Sequence, residues 1–201
     1  RKHVFINSID GTGIKQLKQM VRDSVKNKFE LRKQKGLRFM SVKTMVVGIP
    51  NVGKSSFINK AVGRSTAKTG DKPGVTRGKQ WVRIDRDIDL LDTPGILWPK
   101  IIDKEVGLNL AFTGAIKDEI LDMTQLAALL MEKLSRISPD KLSVRYKLNG
   151  IDSMTGLEML EAAGRNRGCL IQGGDVDLLR ISTIFLDEFR GGKIGRISLE
   201  T

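Results

Sequence analysis

One run of eight residues carries the most specific chemistry in this sequence: Gly48-Ile49-Pro50-Asn51-Val52-Gly53-Lys54-Ser55. The spacing is Gly-x-x-x-x-Gly-Lys-Ser, a pattern that cradles the phosphates of a nucleoside triphosphate. Gly48 and Gly53 permit backbone turns that a Cβ would obstruct. The amides from Asn51 to Ser56 can then point inward and form an anion-binding nest at a helix N-terminus. Lys54 supplies a point charge to the β- and γ-phosphates, and Ser55 offers a hydroxyl to Mg²⁺. Asn51 either shapes this loop or does more.

A second group follows. Asp92-Thr93-Pro94-Gly95 stands 38 residues after Lys54, at the end of the apolar run Ile88–Leu91. An acidic residue there can hold Mg²⁺ through water, and the Gly95 amide can meet a γ-phosphate. Between the two lies Pro73-Gly74-Val75-Thr76. A threonine in a loop can close over the metal and sense the γ-phosphate. Ser65, Thr66 and Thr69 compete with Thr76 for that role. Beyond the Mg²⁺ site the sequence offers no metal cluster. Cys169, the one cysteine, has no disulfide partner in the chain and reads as a small buried hydrophobe rather than a nucleophile.

These groups need elements to hold them. Thr44–Val47 reads as a strand running into the glycine loop, and a helix opens near Lys54. Trp81–Ile84 and Ile88–Leu91 read as two strands joined by a tight acidic turn, and Pro94, Gly95 and Pro99 then break the chain. Upstream, Val4-Phe5-Ile6 reads as a short strand ending in a loop, Asn7 to Gly13. Ile14, Leu17, Val21, Val25 and Phe29 recur at helical spacing, with Lys15, Lys18, Arg22, Lys26, Lys28, Arg32 and Lys33 around them and Gly36 as a stop. From about Asp118 the pattern turns helical. Its stripes are Leu126 to Leu134, then Leu157, Leu160 and Glu161, then Leu178 to Phe189, with an extended tail from Ile194 to Leu199. The expected division is an α/β domain over 1–118 and a small all-helical domain over 119–201.

The charge is uneven. Of a net +12, residues 1–47 supply +9 and the other 154 residues +3. Such density suits a polyanion, nucleic acid or a membrane surface, though a solvated helix face would look the same. Lys15, Lys18, Arg22 and Lys26 in the first helix, and Arg145, Lys147, Arg165 and Arg167 near later helix ends, are the candidates for RNA phosphates. With one tyrosine in the chain, base stacking is not expected. No apolar run reaches the length of a membrane span, so no membrane partner is expected. Trp98 either reports the nucleotide state to a partner or packs in the core.

The order of the motifs is informative. In ordinary GTPases the guanine-reading Asn-Lys-x-Asp follows the Asp-x-x-Gly motif, and nothing in residues 96–201 fits it. Asn59-Lys60 has Val62 where Asp is required. Asn7-Ser8-Ile9-Asp10-Gly11-Thr12-Gly13 is similar to the Ser-Ala-x-x-Gly-x-Gly loop that normally closes such a domain, so the last motif comes first. The expected fold is thus a circularly permuted Ras-like P-loop GTPase domain followed by helices. Position 1 is Arg, so Asn-Lys-x-Asp and the natural N-terminus are expected upstream.

The strings GIPNVGKSSFIN, TGDKPGVTRGKQWV, LLDTPGILWPK, LAFTGAIKD and RGCLIQGG resemble the bacterial ribosome biogenesis GTPase A (YlqF-like) family over essentially the whole chain. The resemblance implies GTP and GDP binding, Mg²⁺-dependent hydrolysis, and late assembly of the large ribosomal subunit through its precursor and rRNA. It implies a low intrinsic rate, because Ile96 stands where Ras-like enzymes orient water with glutamine. It also implies K⁺ at Asn51. A bacterial cytoplasmic monomer is expected, with the mitochondrial matrix as the lesser alternative. His3 receives no catalytic role. Two other readings stay open: an RNA-binding module with a vestigial nucleotide site, and a P-loop ATPase.

Overall fold

The computed structural model describes residues 3–36, 41–63, 80–97 and 101–200. Thr76, its competitors Ser65, Thr66 and Thr69, and Trp98 lie outside them. The chain forms two compact units, Arg1–Leu97 and Trp98–Thr201.

The first unit is a three-stranded sheet with two helices. The strands are β1 (Val42–Met45), β2 (Gln80–Asp85) and β3 (Ile88–Asp92), and the helices are α1 (Ile14–Gln34) and α2 (Lys54–Val62). The order is β1-β3-β2, with β1 parallel and β2 antiparallel to β3. Val42, Val82, Ile84, Ile88 and Leu90 face one way, as period-2 alternation requires. They pack with Ile14, Ile58 and Ala61 from the helices. β1 and β3 are parallel neighbours in register Met45↔Leu91. The segments that follow them therefore emerge side by side, and this brings the Gly48 loop to Asp92.

The opposite side of the sheet buries one carboxylate. Asp89 is 6% exposed and accepts from Lys43 at 2.7 Å, from Arg83 at 3.0 Å and from the Ser41 hydroxyl. Those donors, Lys43 first, hold its carboxyl well below the usual range.

Two expectations shift here. β1 begins two residues before Thr44 and ends at Met45, although the Val46 amide still bonds the Leu91 carbonyl at 3.1 Å. Val4-Phe5-Ile6 is not a strand. A strand exists only where a neighbour pairs with its backbone, and among the described residues none pairs with these three.

The second unit holds α3 (Lys104–Phe112), α4 (Met123–Ile137), α5 (Pro139–Tyr146), α6 (Gly156–Asn166) and α7 (Leu178–Arg190). Four of these starts follow capping chemistry, and α5 opens with Pro139 in its first turn. Asp103, Asp122 and Asp177 each accept amides of the following turn, and Thr155 and Glu158 form a capping box. Leu126, Leu130, Leu134, Met159, Leu160, Ile181, Phe185 and Leu186 fill the core. Periodicity did not single out α3, whose buried residues, Leu110 to Phe112, crowd into one turn. Its Ala111 and Phe112 are buried in this helical core, so the compact units part at Leu97/Trp98, upstream of the expected 118/119 boundary. The stripes also trim. Leu157 and Leu179 are exposed, because those apolar runs are wider than one helix face. Ile194 and Leu199 of the tail are buried, and the tail forms no strand.

Gly156 marks the tightest helix contact. A Cβ there would lie 2.0 Å from the Ala128 carbonyl oxygen, and backbone cannot yield as a flexible side chain can. Gly156→Ala is expected to destabilise the helical unit by about 1–3 kcal/mol, read as a lower denaturation midpoint at unchanged slope.

Candidate nucleotide site

The glycine loop leaves β1 and enters α2 through Gly53, at φ +85°. Asn51 also has a positive φ, 60°, a region that asparagine tolerates better than most residues. α2 has no side-chain cap and no acidic residue in its first turn. Its N-terminus keeps its positive end toward whatever the loop encloses. Lys54 folds back over the loop, and its ammonium donates to the Ile49 carbonyl at 2.7 Å and to the Gly48 carbonyl at 3.2 Å. Burial pushes its pKa down, and the Asp92 charge opposes that.

Asp92 ends β3 and is 2% exposed. Its Oδ1 is buried without a hydrogen-bond partner among the described residues. Burial pushes its pKa up, against Lys54 and the Thr93 amide. An unmatched buried carboxylate oxygen is costly unless something positive approaches it. The next residues bind this strand end to the glycine loop. The Thr93 hydroxyl donates to the Val46 carbonyl at 2.6 Å. The Ile96 amide donates to the Gly48 carbonyl at 3.3 Å. Gly95 lies so close to the loop that a Cβ would fall 2.5 Å from both the Pro50 nitrogen and Cα. Ile96 itself is 71% exposed and offers no polar atom to orient water. Sequence reasoning passed over Thr93 and Pro50; their signal is adjacency to Asp92 and to Asn51.

The Asn7–Gly13 loop folds on itself. Asn7 donates through Nδ2 to Asp10 at 2.8 Å and accepts the Ile9 amide at 2.8 Å. The Asp10 carboxylate accepts the Thr12 amide at 2.7 Å. The Asn7 side chain is thus spent on loop shape, and Ser8 is half-buried beside it. Gly11 approaches α2, where a Cβ would meet Lys60 Cε at 2.9 Å.

The basic candidates divide. Lys18 donates to the Ile84 carbonyl at 2.7 Å. Arg22 forks onto Asp87 at 2.7 and 2.8 Å and reaches Asp85 at 2.9 Å. In the helical unit Arg145 and Arg167 both grip Glu188, which also takes the Tyr146 hydroxyl at 2.8 Å. These four charges brace the fold and are not free for phosphate. Their acidic partners lie 21 to 67 residues away in sequence, so local charge density could not disclose them. Lys15, Lys26, Lys147 and Arg165 are exposed. Among the described residues no helix is long and apolar enough to cross a membrane.

Residues 43–152, more than half of the chain, match the 50S ribosome-binding GTPase family. The chain belongs to that family. Within it the chain falls in the ribosome biogenesis GTPase A, or YlqF-like, group. The Bacillus cereus protein of that name is 45% identical over 198 residues, which cover 98% of this chain and 67% of the relative. The Bacillus pumilus protein is 42% identical over 199 residues, covering 99% and 70%. The GDP-bound structure of YlqF from T. maritima superposes with a TM-score of 0.55 at 27% identity, covering 89% of this chain and 77% of that one.

The chain is therefore a GTP hydrolase with a GTP- and GDP-binding site. GTPases of this family generally use Mg²⁺, and the residues present fit one: the Ser55 side chain stands at the start of α2, and the buried Asp92 oxygen faces an unfilled electrostatic need. Bound there, the ion would neutralise phosphate charge and polarise the terminal phosphoryl group. The Gly95 contact yields a further expectation. Gly95→Ala must push the 93–97 segment off Pro50, and kcat should fall about a hundredfold, since a misplacement near 1 Å can cost that much. GDP affinity should change little; equilibrium binding beside single-turnover hydrolysis separates the two.

Proposed function

We propose that this GTPase is a late assembly factor of the large ribosomal subunit. It binds the subunit precursor and its rRNA in the GTP state and leaves after hydrolysis. The observation that carries this reading is the joint placement, in one loop cradle, of Lys54 and the buried Asp92 Oδ1, which has no hydrogen-bond partner among the described residues. The names of the relatives support the ribosomal context.

In this reading the amides from Asn51 to Ser56 wrap the phosphates, and Lys54 exchanges its two carbonyl partners for the β- and γ-phosphate oxygens. Ser55, Asp92 and Thr76 are the residues that would hold Mg²⁺, which would neutralise phosphate charge there. The Gly95 amide meets the γ-phosphate, which tightens the segment already tied to Gly48. Ile96 leaves the attacking water unoriented, so the intrinsic rate is low and the ribosomal particle supplies what is missing. The Asn51 carbonyl oxygen would hold K⁺ beside the phosphates and offset charge in the transition state. The domain is circularly permuted, the Asn7–Gly13 backbone closing over the base ahead of the P-loop. The helical unit, with Lys147 and Arg165 exposed, contacts rRNA. The protein works as a monomer in the bacterial cytoplasm.

Competition binding and co-sedimentation test this. GTP and GDP should displace a fluorescent guanine nucleotide where ATP does not. The protein should sediment with large-subunit precursors in the presence of a non-hydrolysable GTP analogue and dissociate with GDP. Equal displacement by ATP, or sedimentation indifferent to the nucleotide, would overturn it.

A further inference from the structure

α1 is 21 residues long, or about 30 Å at 1.5 Å per residue. Among the described residues, its contacts to the sheet core and the β2–β3 turn come from its first half. Ile14 is buried, Val21 packs on the sheet core, and Lys18 and Arg22 clamp the β2–β3 turn. The half that follows, taken with the capping residue Lys35 and Gly36 as residues 24–36, holds five basic side chains and one acidic one.

The positions of those charges matter more than their number. At about 3.6 residues per turn, Lys28, Arg32 and Lys35 continue the face that carries Ile14, Leu17, Val21 and Val25. The face that is apolar where it meets the sheet turns cationic where the anchoring ends. Lys15, Lys26 and Lys33 lie well round the helix from it. All six are exposed, and no ion pair among the described residues engages any of them. A helix face that only needed solvation would place its charges away from the packed side. Here three lie on the continuation of the packed side, about one turn apart, at a spacing that can follow successive phosphates.

From this we infer that the Lys28–Arg32–Lys35 face of α1 is a phosphate-tracking RNA contact. The inference rests on the ribosomal reading above and deepens it, moving the contact of this helix away from Lys18 and Arg22. A lipid surface fits less well. An interfacial helix needs a broad apolar face, whereas in this half Val25 and Phe29 are half-buried and only Leu31 is an exposed large apolar residue.

The test compares two triple variants of the full chain with equal charge loss, Lys28→Gln/Arg32→Gln/Lys35→Gln and Lys15→Gln/Lys26→Gln/Lys33→Gln. Glutamine keeps the helix propensity of the residues it replaces, and unchanged far-UV dichroism and basal GTP hydrolysis confirm folding. The probe is a labelled RNA duplex of about 20 base pairs, enough for a footprint across two minor grooves, titrated at several salt concentrations. The first variant should bind about tenfold or more weakly, with a salt slope reduced by about 2; the second should lose less than about threefold. Equal losses, or none, would overturn the assignment while leaving RNA binding intact. A wild-type protein that ignores the duplex, or that binds phosphatidylserine vesicles instead, would overturn both this inference and the RNA part of the proposed function.

Discussion

Replacing Lys54 by alanine is expected to lower the rate of GTP hydrolysis by about 10²–10³-fold, the cost of removing one preorganised charge from a transition state. Lys54 is the ammonium group that the glycine loop itself holds, through the Ile49 and Gly48 carbonyls. Burial already disfavours its charged form, so the positive charge is poised for an anion that would relieve it. Lys54→Arg should not rescue, because a planar fork cannot take the place of a compact ammonium between those carbonyls. GDP affinity should fall as well. Single-turnover hydrolysis with saturating nucleotide isolates the chemical effect from the binding effect. A rate within a few-fold of wild type would remove Lys54 from the chemistry.

The second large effect concerns stability. Glu188 in α7 is 7% exposed and joins Arg145, Arg167 and Tyr146. Burial alone would raise its pKa, but the hydrogen bonds from the two guanidinium groups and the phenol outweigh it and bring the carboxyl down to about 2, from an ordinary 4.5. Burial, together with the same contact, pushes the Tyr146 phenol up. Glu188→Ala leaves two cations crowded around an empty site and should cost the helical unit about 3–5 kcal/mol, a fall in Tm of about 15 °C or more. The sign of the pH effect follows from the lowered folded pKa. The stabilisation is full above the unfolded carboxyl pKa and is lost as pH falls from about 4.5 toward 2. Glu188→Gln should therefore be less stable at neutral pH and should lack that part of the acid transition. Thermal melts across that range check both points. A variant that melts like wild type at neutral pH would show that the cluster braces nothing.

What the sequence made legible follows from how local each signal is. The Gly48–Ser55 loop was readable because Gly48, Gly53, Lys54 and Ser55 each need a particular residue type at a fixed spacing, and strand and helix flank it as expected. Asp92 was readable as a strand-end acid, although only the fold shows its Oδ1 buried without a partner. Lys18, Arg22, Arg145 and Arg167 looked like free cations because their partners Asp85, Asp87 and Glu188 are remote in sequence. Glu188 sits within the apolar stripe of α7, and an acid in such a stripe is the signal that a buried cation partner should exist. Val4–Ile6 has strand composition but lacks a pairing partner among the described residues, and composition cannot supply one. α3 was hidden because its buried turn, Leu110 to Phe112, is too short to show a helical period.

GTP hydrolysis by the full-length protein in K⁺ buffer, with and without large ribosomal subunits, tests the central claim most directly. Hydrolysis should be slow alone, strongly stimulated by the subunit, and no longer stimulated in Lys54→Ala, with K⁺ supporting a faster rate than Na⁺. Fast hydrolysis that the subunit leaves unchanged would contradict it, since Ile96 would then cost the enzyme nothing and the particle would supply nothing.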